Sequence, residues 1–119
     1  MKDNNQIAIK SKAFAVRMIR LYQYLTNEKR EHVLSKQVLR SGTSIGANIR
    51  EADNAQSKKD FVAKMQIALK EAGETEYWLE LLQDTEYISG NAGENLRSDC
   101  HELYQMITAI IKTAKTNLD

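Results

Sequence analysis

The sequence has no proline, a single cysteine and only five glycines in 119 residues. A turn-rich all-β protein rarely manages without proline, whereas an all-helical chain with short connections can. The lone Cys100 excludes an intrachain disulfide and fits a reducing compartment. No window approaches the roughly 20 apolar residues of a membrane span. The stretch Met1 to Gln6 is polar and holds Asp3, so it lacks the apolar core of a cleaved leader. Together these absences point to a cytoplasmic protein with no membrane partner.

Apolar residues make up 42% of the chain and charged residues 28%, which is ordinary globular composition and enough for one core. A single domain over residues 1–119 is expected. Net charge is only +1, yet it is unevenly spread. Residues 1–60 carry 12 Lys/Arg against 6 Asp/Glu, and residues 61–119 carry 5 against 10. Such a division suits charged faces, head-to-tail self-association or a polyanionic partner. Antiparallel packing that interleaves the halves is the other outcome.

Four segments repeat an alternating spacing of four and three: Phe14, Met18, Leu21, Leu25; then Leu34, Val38, Ser41, Ile45, Asn48, Ala52. The third runs Phe61, Met65, Ala68, Ala72, Thr75, Leu79, Leu82, and the last Leu96, Cys100, Leu103, Ile107, Ile110, Ala114. The average of 3.5 residues is the seam period of bundled helices. Ser11 is a candidate cap for the first helix, Ser57 with Asp60 a capping-box variant for the third, and Ser89 to Gly93 the clearest loop. The pattern predicts helices near 11–27, 31–55, 58–88 and 93–116. Short connections make neighbours antiparallel, so the expected fold is all-α, an up-down-up-down four-helix bundle.

More apolar surface is present than one core needs. Ile67, Glu71, Glu74, Trp78, Leu81, Thr85 and Ile88 form a second stripe on the third helix. Leu39, Gly42, Gly46 and Ile49 flank the seam of the second, and Tyr104, Ile111 and Leu118 lie off that of the fourth. A helix apolar on two sides is buried on two sides, against a neighbouring subunit or within a broad core. Gly42 and Gly46, inside the second helix, each cost about 0.8–1 kcal/mol relative to alanine. Close approach of another helix, or a kink through residues 41–44, offsets that cost.

Catalytic chemistry finds little to build on. A di-metal carboxylate site needs Glu-x-x-His pairs on facing helices, and neither His32 nor His101 has a glutamate three residues before it. Cys100 and His101 are adjacent, so they point about 100° apart and form neither a chelate nor a nucleophile pair. No catalytic residue, metal or cofactor is expected, and the chain is read as a non-enzyme. Glu71 and Glu74, set in a partly apolar stripe, call for cationic partners, with Arg40 and Arg50 the natural ones. For a nucleic acid, Lys10, Arg17 and Arg20 form a basic stripe beside the first seam. Lys36, Arg40, Arg50, Lys58 and Lys59 are further basic positions, and Tyr22 and Tyr24 are possible stacking groups.

The run Gln37-Val38-Leu39-Arg40-Ser41-Gly42-Thr43-Ser44-Ile45-Gly46-Ala47-Asn48-Ile49-Arg50-Glu51-Ala52 strongly resembles one known family. So does Asp60-Phe61 leading to Ile67-Ala68-Leu69-Lys70-Glu71-Ala72-Gly73-Glu74-Thr75-Glu76-Tyr77-Trp78-Leu79. It is the family of bacterial four-helix-bundle proteins encoded in intervening sequences of large-subunit ribosomal RNA. The accessory variability proteins of diversity-generating retroelements are similar. The resemblance implies a bundle assembling as a ring, typically a homopentamer, with basic surfaces that in the retroelement members meet reverse transcriptase and RNA. It also marks Arg40, Asn48, Glu51, Glu71 and Glu74 as a polar network within or between subunits, which Arg50 joins as the second expected cationic partner. The expected function is therefore an oligomeric nucleic-acid-associated or adaptor protein with Lys10, Arg17, Arg20 and Lys36 as candidate RNA contacts. A protein-interaction scaffold without nucleic acid is the alternative.

Overall fold

The computed structural model describes residues 6–116, which form four helices: α1 (Gln6–Asn27), α2 (Leu34–Asp53), α3 (Lys58–Asp84) and α4 (Gly90–Thr116). Each packs antiparallel to the next, and α1 closes the bundle against α4 more loosely than the other three pairs close. The backbones of the diagonal pairs stay more than 8 Å apart, so α1 and α3 occupy opposite corners. The molecule measures 49 × 22 × 20 Å, its long axis set by 27-residue helices of about 40 Å.

Local chemistry explains where the helices begin and end. α1 stops at Asn27, and Arg30 takes the left-handed backbone (φ 54°), bringing the Glu31 N–H to the Leu25 carbonyl at 2.9 Å. The Glu31 carboxylate then accepts from the backbone N–H groups of Val33, Leu34 and Ser35 at 3.1, 2.8 and 2.6 Å. Glu31 thus serves as the cap of α2 rather than its first residue, which is why that helix starts at Leu34 and not near 31. Burial of the Glu31 carboxyl pushes its pKa up, but hydrogen bonds from Leu34, Ser35 and Val33 outweigh this and hold it below the ordinary value.

At the start of α3 the expected capping-box variant forms, with the Asp60 N–H donating to Ser57 Oγ at 3.0 Å. α3 ends at Asp84, short of the predicted 88, because Glu86 turns left-handed (φ 67°) and Tyr87 donates back to the Leu82 carbonyl. That turn folds Ile88 into the core. The predicted loop at residues 89–93 is a loop only to Ser89. Its hydroxyl accepts from Ala92 N–H at 3.1 Å, its carbonyl accepts from Gly93 N–H at 2.8 Å, and Gly90 to Gly93 form the first turn of α4. Ser11 is not a cap. It lies buried inside α1, whose first described residue is Gln6, and donates to the Ala8 carbonyl.

The four seams form the core, with corrections at their ends. Ile49 is buried where Asn48 is expected, Ile111 replaces Ile110, and Val62 replaces Phe61. A straight helix repeats every 3.6 residues, so a strict heptad drifts by about 20° per repeat, and far along α2 and α4 the next residue, Ile49 or Ile111, takes the inward position. Gly42, Ile49 and Ile111, assigned to a second surface in the sequence, are buried within this chain, as is Ile88 in the turn after α3. Leu118 lies outside the described residues.

Gly42 and Gly46 mark the close approach of α1 and α2. A Cβ on Gly42 would stand 2.3 Å from Met18 Cγ, and one on Gly46 would stand 3.4 Å from the Ser11 carbonyl oxygen. α2 runs unbroken through residues 41–44 as a single helix, so close packing rather than a break accounts for the glycines. One polar contact is sealed in the core. Thr75 Oγ1 is 2.7 Å from the Glu71 carbonyl and 2.8 Å from Ser41 Oγ. The carbonyl can only accept, so the single Thr75 proton goes there and Ser41 donates to Thr75.

Candidate nucleic-acid interface

The basic stripe expected on α1 is largely neutralised. Lys10 Nζ lies 3.3 Å from Glu102, and Arg17 lies 2.5 Å from Asp99, both carboxylates on α4. The antiparallel packing of α1 on α4 brings these opposite charges level, and it is how the basic and acidic halves of the sequence meet. Arg20 stays exposed and bonds Gln23 on its own helix. Lys36 is exposed near the start of α2 and forms no ion pair among the described residues. The four candidates therefore do not form one continuous cationic track.

Above Arg17 a shallow groove opens between α1 and the start of α4. Leu21, Ile88 and Leu96 form its floor, with Val16, Arg20 and Tyr24 on one wall. Tyr22 is half-buried and Tyr24 exposed, so Tyr24 is the more accessible stacking surface.

The polar network divides into separate parts. Arg40 on α2 reaches both Glu71, at 3.3 Å, and Glu74 on α3. Burial pushes the Arg40 guanidinium pKa down, and the two carboxylates more than offset it, Glu74 first. Glu51 pairs with Lys64 at 3.4 Å, while Asn48 donates to the Ser44 carbonyl of its own helix. Arg50 is exposed and joins none of these, which corrects its assignment as a partner for the glutamates. The Arg40–Glu71–Glu74 cluster lies within one chain and ties α2 to α3.

His101 stands 3.2 Å from Glu76 and stacks on Tyr104, with His32 exposed at the far end. Cys100 is fully buried, its thiol donates to the Ala72 carbonyl, and burial with nearby Glu76 and Asp99 pushes its pKa far up. A thiol held in that form is not a nucleophile. Among the described residues no three His, Cys, Asp or Glu side chains converge to hold a metal ion, and no helix is long and apolar enough to cross a membrane.

Two surface features matter more. On α1, Ile9 and Val16 are 63% and 47% exposed and Ile19 is also open, all on the side facing away from Phe14 and Met18. On α3, Ile67 and Tyr77 are exposed. The other feature is basic. Lys112 and Lys115, which no sequence motif singles out, are exposed at the end of α4, and Ala114 lines the same concavity as Lys58. Their signal in the sequence is only a pair of lysines three apart, and it takes the antiparallel fold to bring the end of α4 to the start of α3.

Against known proteins, the chain resembles a structure from Bacteroides thetaiotaomicron, described as a protein with unknown function from the S23 ribosomal protein family. The two share 57% identity and a TM-score of 0.88, over 89% of this chain and 98% of that one. No protein of curated function matches. The model of the 23S rRNA-intervening sequence protein family matches residues 3–109, nearly the whole bundle. With both signature runs in place on α2 and α3, this chain belongs to the 23S rRNA-intervening sequence protein family.

Proposed function

We propose that this protein is a non-enzymatic, self-assembling adaptor that associates with RNA through the surface of its oligomer. The observation that carries the reading is the outward face of α1. Ile9, Val16 and Ile19 lie there exposed, although the inward face of the same helix already supplies a full share of core. A helix apolar on both sides has a use for a second partner. The exposed Ile67 and Tyr77 sit on α3, at the opposite corner of the bundle. Two different patches on opposite sides favour a head-to-tail contact, and such contacts generate rings when the rotation closes. The ring of five copies is the form that the family resemblance implies, and RNA as the partner follows from the likeness to the retroelement members, whose basic surfaces meet RNA. The link to retroelement accessory proteins rests on the resemblance alone.

Solution mass tests the assembly. One chain is 13.6 kDa, and light scattering is expected to give a multiple of that, five copies in the ring form. Replacing Ile9 and Val16 by aspartate should shift the mass towards one chain while leaving helicity unchanged. A wild-type monomer would refute the assembly. A protein scaffold without RNA is the second reading, favoured by the neutralisation of Lys10 and Arg17. A protein partner that stays bound after nuclease treatment, with no affinity for RNA, would favour it.

A further inference from the structure

The antiparallel bundle gathers one end of every helix at each pole. At the pole where α1 and α3 begin, α2 and α4 finish, and the cations collect. Over about three turns of each helix, seven cations stand there among the described residues: Lys12, Arg50, Lys58, Lys59, Lys64, Lys112 and Lys115. They face three carboxylates, Glu51, Asp53 and Asp60. Lys10 is set aside because Glu102 neutralises it. With that pair removed, the remaining described chain holds eight cations against ten carboxylates. The sequence is nearly neutral, but its described residues are polarised along the 49 Å axis.

Six of these seven cations are available, Lys64 being paired with Glu51. Lys12, Arg50, Lys58, Lys59, Lys112 and Lys115 are all exposed, and none forms an ion pair among the described residues. This distinguishes them from Lys10, Arg17 and Arg40, each held by a carboxylate on a neighbouring helix. Two shallow clefts lie among them. One is lined by Lys12 and Arg50, the other by Lys58, Phe61 and Ala114.

We infer that this basic pole, and not the α1 stripe, is the surface on which the protein holds an RNA backbone. The inference rests on the RNA reading above and names its site. The chemistry of the tip favours a polynucleotide. The connection between α2 and α3 contains Asn54, Gln56 and Ser57 and no large apolar side chain. A lipid surface needs apolar residues to insert, and a protein interface needs aromatic or aliphatic anchors. Cations interspersed with amide and hydroxyl groups match a sugar-phosphate backbone, which takes charge and hydrogen bonds without reading sequence.

The test is binding of a labelled RNA hairpin over a salt series, using the full chain. A variant with Lys58, Lys59, Lys112 and Lys115 all changed to glutamine is compared with wild type and with an Arg17→Ala/Arg20→Ala variant. Four phosphate contacts give a logarithmic salt slope of about −3, so wild-type affinity should fall roughly 50- to 150-fold between about 50 and 200 mM salt. The glutamine variant should lose most of that slope, about 0.7–0.9 for each lysine that touches a phosphate. The arginine variant should bind as wild type does. All four lysines are exposed, so the fold should persist, and the Lys112→Gln/Lys115→Gln pair gives a milder second variant. If RNA binds but only the arginine variant weakens it, the basic pole is refuted and the RNA reading stands. If wild type fails to bind the hairpin at low salt, or binds only anionic vesicles, both fall.

Discussion

Alanine at position 42 sets two opposing effects against each other. In a helix interior, glycine to alanine gains about 0.8–1 kcal/mol from propensity. The new Cβ, however, would lie 2.3 Å from Met18 Cγ, 2.7 Å from its Sδ and 3.2 Å from its Cβ. Met18 is fully buried, and its Cβ cannot rotate away, so α1 and α2 must separate or Met18 must leave its rotamer. Overpacking of this kind costs about 1–3 kcal/mol, and more where backbone must shift. The clash should prevail by about 1–2 kcal/mol, lowering Tm by roughly 4–8 °C for a domain of this size. Gly46 provides the control. Its Cβ would meet Ser11 at 3.4 Å, an ordinary contact, so Gly46→Ala should keep most of the propensity gain and raise Tm by about 2–4 °C. Thermal and urea unfolding followed by circular dichroism, at one protein concentration because assembly shifts Tm, measures both. Combining Gly42→Ala with Met18→Ala should cost less than the two changes added together. A Gly42→Ala protein as stable as wild type, or a loss at Gly46 equal to that at Gly42, would refute the close-packing account.

Glu31 should make stability sensitive to acid. Its folded pKa lies below the ordinary value of 4.5, so between the two pKa values the unfolded chain binds more protons. Its contribution is therefore complete above about pH 5 and disappears as pH falls through the folded pKa. Glu31→Gln should cost about 1–2 kcal/mol at neutral pH and flatten that part of the stability-against-pH curve; an unchanged curve would show that the cap contributes nothing. At Glu86, whose left-handed φ of 67° disfavours a side chain, glycine should stabilise by about 0.5–1 kcal/mol in the same unfolding assays. Destabilisation there would mean that the Glu86 side chain contributes more than its backbone strain costs.

Much of the fold is legible because the information is local. Phe14, Met18, Leu21 and Leu25 lie on one side of any helix they form, and all are buried. Ser57 and Asp60 form their cap from neighbouring residues alone. Legibility fails where a distant group decides. Asn48 yields to Ile49 because helical drift accumulates over several turns. Ser89 to Gly93 contain loop-forming residues, yet the packing of α4 draws the glycines into its first turn. Glu31 is an unremarkable polar residue until the chain reversal at Arg30 aims it at the amides of α2.

Helix number and the core seams through the middle of each helix were properties of the sequence, since residue type and spacing suffice to determine them. Which charges remained free was a matter of tertiary structure alone. Lys10 and Arg17 looked like an RNA-binding stripe but meet Glu102 and Asp99, each more than 80 residues away in the chain. Lys112 and Lys115 were singled out by no motif and share a pole with Lys58 only because antiparallel packing places the start of α3 beside the end of α4. Coulombic interaction depends on distance in space and on shared solvent, neither of which is written in the order of residues.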